Sequence, residues 1–250
     1  MQTFTDKFDN FVVPNFATPE ECRRLVEASE ATSNRHRATV GSDRRTDAKV
    51  RNNTTAFLAK EDSGDMVERV SALLEKQRPG VDASLCEGVQ VQIYEPGEHY
   101  TKHTDSWRND VLCPDTVSGW LPGKKHHPLP RQRTWTCVLY LNDVEEGGTT
   151  TFPKAGAVVS PELGKLACWN NVHPDLSANV MTEHQGDDVI KGKKWLANFW
   201  FNTEDGPPCM MKQRASVPFG LDRDVWIAIG ISAVVLVVAA LLLFIRTLRE

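Results

Sequence analysis

The chain has 250 residues, a net charge of −4 and a hydrophobic share of 40%, the dimensions of one enzyme-sized domain with an appendage. No long basic run accompanies this mildly acidic balance, which excludes the electrostatic footprint of a nucleic-acid-binding protein. The six cysteines stand singly with no CxxC pair, so a zinc ribbon and a thioredoxin-like redox site are excluded too, and most of the six are expected to be plain buried thiols.

Residues 1–16 alternate polar and apolar without a continuous apolar core, and do not resemble a secretory signal. Thr18, Pro19 and Glu21 form an N-cap, a first-turn proline and a capping-box glutamate, and Cys22, Leu25 and Val26 continue on one stripe. A helix is predicted to begin there. A second is predicted to open at Ser63, with Met66, Val67, Val70, Leu73 and Leu74 at helical spacing and Pro79-Gly80 as its stop. Both stripes read as packing surface.

From Cys86 the period changes to that of strands. Val89, Val91 and Ile93 alternate with Gln90, Gln92 and Tyr94, and Pro96-Gly97 turns the chain toward His103. Residues 106–131, with Trp107, Trp120, His126 and His127, are longer than a minimal hairpin and read either as a lid over a substrate or as a variable surface loop. Apolar segments follow at 135–141, closed by Asn142-Asp143 and Gly147-Gly148, then at 166–169 and 195–201. Short strands after a pair of helices predict a mainly β fold with flanking helices, a double-sheet jelly roll whose mouth can seat a metal.

Residues 225–245 form an unbroken apolar run with Trp226 at one edge and Arg246 and Arg249 beyond the other, about as long as the ~20 residues a bilayer-spanning helix needs. The expected plan is a catalytic domain over 1–205 (helical to about 85, jelly roll from about 86), a linker at 206–224, a transmembrane helix at 225–245 and a short tail at 246–250. A single-pass tail anchor follows from this, with the large domain on the cytosolic face by default.

The chemistry rests on a sparse set. His103 and Asp105 are two residues apart, a spacing that puts both on one face of an extended segment. With a distant histidine, His184, they form the two-histidine, one-carboxylate set of non-haem Fe(II) oxygenases, which leaves coordination positions open for a cosubstrate and O2. HxD alone is a short pattern in a chain of seven histidines, and the context gives it weight. By alternation Lys194, Leu196, Asn198 and Trp200 share a face, and an inward lysine is costly unless paired. A dicarboxylate cosubstrate supplies that pair; the bland alternative is a lysine that snorkels outward.

The segments "VQIYEPGEHYTKHTD", "LYLNDVEEGGTTTFP" and "HQGDDVIKGKKWLANFW", and more loosely "RRTDAKVRNNTTAFL", resemble the Fe(II)- and 2-oxoglutarate-dependent prolyl 4-hydroxylase family, related to the collagen-type catalytic subunit. The resemblance implies a double-stranded β-helix core in which His103, Asp105 and His184 hold Fe(II) and Lys194 binds the far carboxylate of 2-oxoglutarate. It further implies that Tyr94 and Thr136 hydrogen-bond the cosubstrate and that Trp200 lines its pocket. Where the family carries a small residue and a proline after the distal histidine, this chain has Asp187 and Asp188, read as facing solvent.

Fe(II), 2-oxoglutarate, O2 and ascorbate are therefore the expected cofactors. The expected activity is hydroxylation of proline in a peptide or protein, coupled to decarboxylation of 2-oxoglutarate to succinate. The same machinery acting on another residue such as lysine, and a non-catalytic metal-binding jelly roll, are the alternatives. No nucleic-acid partner is expected. Family habit points to the endoplasmic reticulum membrane.

Overall fold

The computed structural model describes residues 1–39, 46–77, 80–106 and 132–203. In chain order β1 (Asn10–Val13) and α1 (Pro19–Ala31) precede two short strands, β2 (His36–Arg37) and β3 (Thr54–Phe57). Then come α2 (Lys60–Ser63), α3 (Met66–Gln77), β4 (Cys86–Tyr94) and β5 (Tyr100–His103). The remaining strands are β6 (Arg133–Tyr140), β7 (Glu146–Gly147), β8 (Thr150–Phe152), β9 (Ala157–Val159), β10 (Leu166–Asn170), β11 (His184–Gly186), β12 (Val189–Lys191) and β13 (Lys194–Asn202).

The long strands build a seven-stranded antiparallel sheet in the order β1-β10-β6-β13-β4-β3-β2, faced by a four-stranded sheet β5-β11-β8-β9 and a small β12-β7 pair. This is a mainly β architecture with few helices, consistent with a jelly-roll oxygenase core. Strand alternation gives the large sheet two unlike faces. Val89, Val91, Trp135, Leu139, Phe199 and Phe201 point to one side and pack on Cys22 and Leu25 of α1 and on Met66, Val70 and Leu74 of α3. Their neighbours on the same strands, among them Gln92, Tyr94, Thr136, Lys194 and Asn198, point to the other side and line a pocket.

The first helix begins as its sequence predicts: the Thr18 hydroxyl accepts from the Glu21 amide, and the Glu21 carboxylate accepts from the Thr18 amide. The second differs. Ser63 ends the short α2 instead of opening a helix, because Gly64 adopts φ 60° and α3 restarts at Met66. Arg69 on α3 donates to Glu21 and to the Phe16 carbonyl, both at 2.6 Å, and so locks the two helices together.

Two of the four described cysteines depart from the thiol expectation. Cys137 of β6 and Cys168 of β10 lie directly opposite in the strand register and are joined as a disulfide, whereas Cys22 and Cys86 are free. Cys113, Cys209, His126, His127 and the apolar run at 225–245 lie outside the described residues. Among the described residues no helix is long and apolar enough to cross a membrane.

Candidate metal and cosubstrate site

His103 closes β5 and His184 opens β11, and the two are register partners across that pair of strands. His184 thus sits on a strand, at the start of the short β11. Asp105 follows two residues after His103, and one ligand atom from each of the three side chains lies within 4.8 Å of the others. The Asp105 carboxylate is 3.8 Å from His103 Nε2 through one oxygen and 3.7 Å from His184 Nε2 through the other.

The two imidazoles are oriented in the same way. His103 Nδ1 donates to the Thr101 carbonyl at 2.8 Å and His184 Nδ1 to the Thr182 carbonyl at 2.9 Å. A carbonyl only accepts, so each Nδ1 carries the proton and each Nε2 lone pair faces Asp105. Burial, reinforced by His184, pushes His103 far below the ordinary imidazole range. Burial alone would raise the Asp105 carboxyl, but His184, His103 and Arg133 outweigh it and hold the group below its usual value. Two neutral imidazoles and a carboxylate form the donor set that a divalent cation requires, and it fits Fe(II).

Aromatic rings fix the ligands from behind. Tyr100 stacks on His103 with centroids 3.6 Å apart, and Trp169 presents its edge to His184 at 4.8 Å. Thr136 Oγ1 donates to Asp105 Oδ2 at 2.7 Å and accepts from Asn171 Nδ2 at 2.8 Å. Thr136 therefore holds the carboxylate ligand in place, and it also lines the pocket. Removing such a partner of a metal ligand typically costs 10–100-fold in metal affinity. Thr136→Val is expected to weaken Mn(II) binding roughly in that range, read by calorimetric titration, with the far-UV circular dichroism unchanged.

Lys194 begins β13 opposite Tyr94 of β4 and is 1% exposed. Its ammonium sits 5.3 Å from the Tyr94 ring and 5.8 Å from that of Tyr140. No carboxylate pairs with it among the described residues, and burial pushes its pKa down to about 8, opposed by the charge of Asp187. Gly148, at φ 67°, keeps room for the lysine stem: a Cβ there would lie 3.3 Å from Lys194 Cδ. A buried, unpaired ammonium beside a metal triad fits the distal carboxylate of 2-oxoglutarate. Unpartnered Trp169 Nε1, Asn198 Oδ1 and Trp200 Nε1 belong to the same pocket wall.

Trp200 lines the pocket, and so does Tyr94, with its hydroxyl donating to Gln92 Oε1 at 2.7 Å. Sequence reasoning missed Thr150, which lines the inner pocket, and Tyr140, which lies behind it beside Lys194 and donates its hydroxyl to Thr150 at 2.8 Å; alternation from Thr136 through Val138 would have put Tyr140 on that face. Asp187 is half-buried and accepts from the hydroxyls of Thr149 and Thr151 and from Gln185 Nε2 at 2.6 Å. Asp188 is exposed, as the sequence predicts, and pairs with His99 at 3.0 Å. The inner pocket opens at His103 and Asp105 into an outer cavity of about 670 Å³, bordered by Arg51, Tyr100, Arg133 and Trp200.

Residues 89–202 match the 2OG-Fe(II) oxygenase superfamily. The chain is 29% identical over 216 residues to a probable prolyl 4-hydroxylase 10 of Arabidopsis thaliana, covering 78% of this chain and 68% of that protein. It is 32% identical over 171 residues to prolyl 4-hydroxylase subunit alpha-1 of Gallus gallus, covering 67% of this chain but only 31% of that subunit. Thus the chain spans about two thirds of the plant relative and less than a third of the avian one.

Among solved structures, the fold matches a viral collagen prolyl hydroxylase of Paramecium bursaria Chlorella virus-1 in complex with 2OG, with TM-score 0.57, 22% identity and coverage of 76% of this chain and 94% of that one. It also matches a Trichoplax adhaerens prolyl hydroxylase in complex with a hypoxia inducible factor peptide fragment, with TM-score 0.54, 13% identity and coverage of 78% and 84%. The metal triad and the buried lysine thus lie within the segment that matches the 2OG-Fe(II) oxygenase superfamily, and the chain is similar to prolyl 4-hydroxylases.

Proposed function

We propose that this dioxygenase hydroxylates proline in a peptide or protein, and that the apolar run at 225–245 tethers it to a membrane, by family habit that of the endoplasmic reticulum, with the catalytic domain on the cytosolic face. The observation that carries the substrate reading is the outer cavity of about 670 Å³ that opens directly onto His103 and Asp105. Its walls combine the ring faces of Tyr100 and Trp200 with the guanidinium groups of Arg51 and Arg133, which lie over those rings at 4.6 and 4.3 Å. Aromatic faces suit a pyrrolidine ring, and guanidinium groups suit the peptide carbonyls on either side of it. The names of the relatives support the same reading.

In this reading His103, Asp105 and His184 hold Fe(II), and Lys194 fixes the far carboxylate of 2-oxoglutarate with help from the Tyr94 hydroxyl. Bound there, the metal and cosubstrate supply oxidative decarboxylation to succinate and CO2 together with hydroxylation of a C–H bond; ascorbate as reductant is typical of the family. The protein contributes orientation and exclusion of water. Tyr100 and Trp200 would set which C–H bond faces the metal, and the buried walls of the inner pocket restrict solvent.

The test is succinate release by the full chain in detergent with Fe(II), ascorbate and either proline-rich or lysine-rich peptides. Succinate release with proline peptides, and one added oxygen on proline by mass spectrometry, is the expected result. Turnover confined to lysine peptides would replace proline as the target, and metal binding with no turnover on any peptide would leave a non-catalytic module. Deleting residues 206–250 is expected to release an active, soluble enzyme from membranes if the anchor reading holds.

A further inference from the structure

The wall between the inner pocket and the outer cavity is a closed ring of polar side chains. Arg51 Nε donates to Asn53 Oδ1 at 2.9 Å, and Asn53 Nδ2 donates to Gln92 Oε1 at 3.2 Å. Gln92 Nε2 donates to Gln90 Oε1 at 2.9 Å, and Arg51 Nη2 reaches the same oxygen at 3.5 Å. All four side chains are buried, Gln92 at 2% exposure and Asn53 at 0%. The register explains the ring: Thr55 lies opposite Gln92 on adjacent strands, so Arg51, Asn53, Gln90 and Gln92 converge on one side of the sheet.

The ring touches both ligand sites. At one corner Gln92 Oε1 also accepts from the Tyr94 hydroxyl, which belongs to the inner pocket. At the opposite corner the Arg51 guanidinium lies 4.6 Å over the Tyr100 ring, which stacks on His103 and borders the outer cavity. We infer that Gln92 is a positioning residue that couples 2-oxoglutarate binding in the inner pocket to the placement of Arg51 in the peptide cavity. This inference rests on the cosubstrate and peptide assignments made above.

The Tyr94 hydroxyl has one proton to donate. A cosubstrate carboxylate held by Lys194 is a charged acceptor and outcompetes the neutral Gln92 carbonyl for it. Gln92 Oε1 then keeps a single donor, Asn53, and that bond takes up the freed accepting capacity. Asn53 and Gln90 are the ring's own contacts to Arg51, which also lies over Tyr100 and donates to the Thr39 carbonyl at 3.4 Å, so a change at Gln92 Oε1 reaches the guanidinium through one intermediate on either side. In a buried network each such exchange carries weight, because no water is at hand to replace a lost partner. Any effect of the cosubstrate on peptide affinity must appear equally as an effect of peptide on cosubstrate affinity.

The experiment follows amide hydrogen exchange at residues 51–55 of the full, Mn(II)-loaded chain with and without 2-oxoglutarate, in the wild type, Gln92→Met and Tyr94→Phe. The cosubstrate is expected to slow exchange there by roughly fivefold or more in the wild type, and to leave it unchanged in both variants while calorimetry still detects 2-oxoglutarate binding. Tyr94→Phe leaves the ring intact, so it decides the matter if Gln92→Met fails to fold. Protection that persists in a folded variant, or is absent from the cosubstrate-bound wild type, overturns the inference. Poly-L-proline titrated into the same samples separates the two claims: no binding to the wild type would sink the peptide reading, while the exchange result still decides the relay.

Discussion

Replacing Lys194 by methionine is expected to raise the thermal midpoint of the cosubstrate-free protein while removing its ability to bind 2-oxoglutarate. The lysine is 1% exposed, and burial pushes its pKa from 10.5 down to about 8. That displacement corresponds to about 3 kcal/mol by which the folded protein disfavours the charged form. Methionine fills much of the same space without a charge to desolvate, so Tm at pH 7 is expected to rise by several degrees.

The sign can be checked with pH. Below about 8 the lysine is protonated in both folded and unfolded chains, and the full penalty is present. Between about 8 and 10.5 the folded protein has released a proton that the unfolded chain still holds, so wild-type stability rises with pH through that window. The methionine variant lacks this rise. The gap between the two Tm values is therefore expected to shrink from pH 7 to pH 9.5, as scanning calorimetry can measure. A variant that is less stable than the wild type at pH 7 would mean that the ammonium has a partner in the folded state.

Binding moves the opposite way. With the ammonium gone, the carboxylate of 2-oxoglutarate would be buried without a counter-charge, and its affinity for the Mn(II)-loaded protein is expected to fall by two orders of magnitude or more. At a cosubstrate concentration about 100 times its Kd the wild type regains roughly 2.7 kcal/mol by mass action. The gap between the two stabilities thus nearly closes on adding 2-oxoglutarate. An expensive residue is kept because its cost is recovered only when the ligand arrives.

What the sequence makes legible depends on the length of the element. β4 and β13 are nine residues each, enough for their period to put Gln92 and Tyr94, and Lys194 and Trp200, on the pocket side. The strands of the smaller sheets run from two to four residues, too few to show any period, and so His184 reads as a loop residue although it pairs across a ladder with His103. Thr136 shows the next limit. Alternation gives its face, but its partner Asp105 arrives from a bend 31 residues earlier and no local pattern reports that meeting. Asp187 is similar: its partners Thr149 and Thr151 lie at the start of the neighbouring β8, and an acid next to the exposed Asp188 looks like a solvent residue until that pairing is known. Side-chain type and spacing announced the metal donors, and tertiary pairing decided what holds them in place.

The second large effect concerns Asp105. Asp105→Ala leaves two neutral imidazoles, removes the only negative charge of the triad and is expected to lower Mn(II) or Fe(II) affinity by three orders of magnitude or more, with no measurable succinate. The loss should exceed that of Thr136→Val by at least tenfold, because the threonine only orients a ligand that would still be present. The metal-free protein should tolerate the change. Thr136 Oγ1 keeps its bond from Asn171 Nδ2, and no buried charge is left without a partner. The measurable contrast is therefore in thermal shift: Mn(II) is expected to raise the Tm of the wild type and leave that of Asp105→Ala where it was, although the two start within a few degrees of each other. A variant that is still stabilised by Mn(II) would show that the cation binds elsewhere, and the three side chains would lose their claim to the metal.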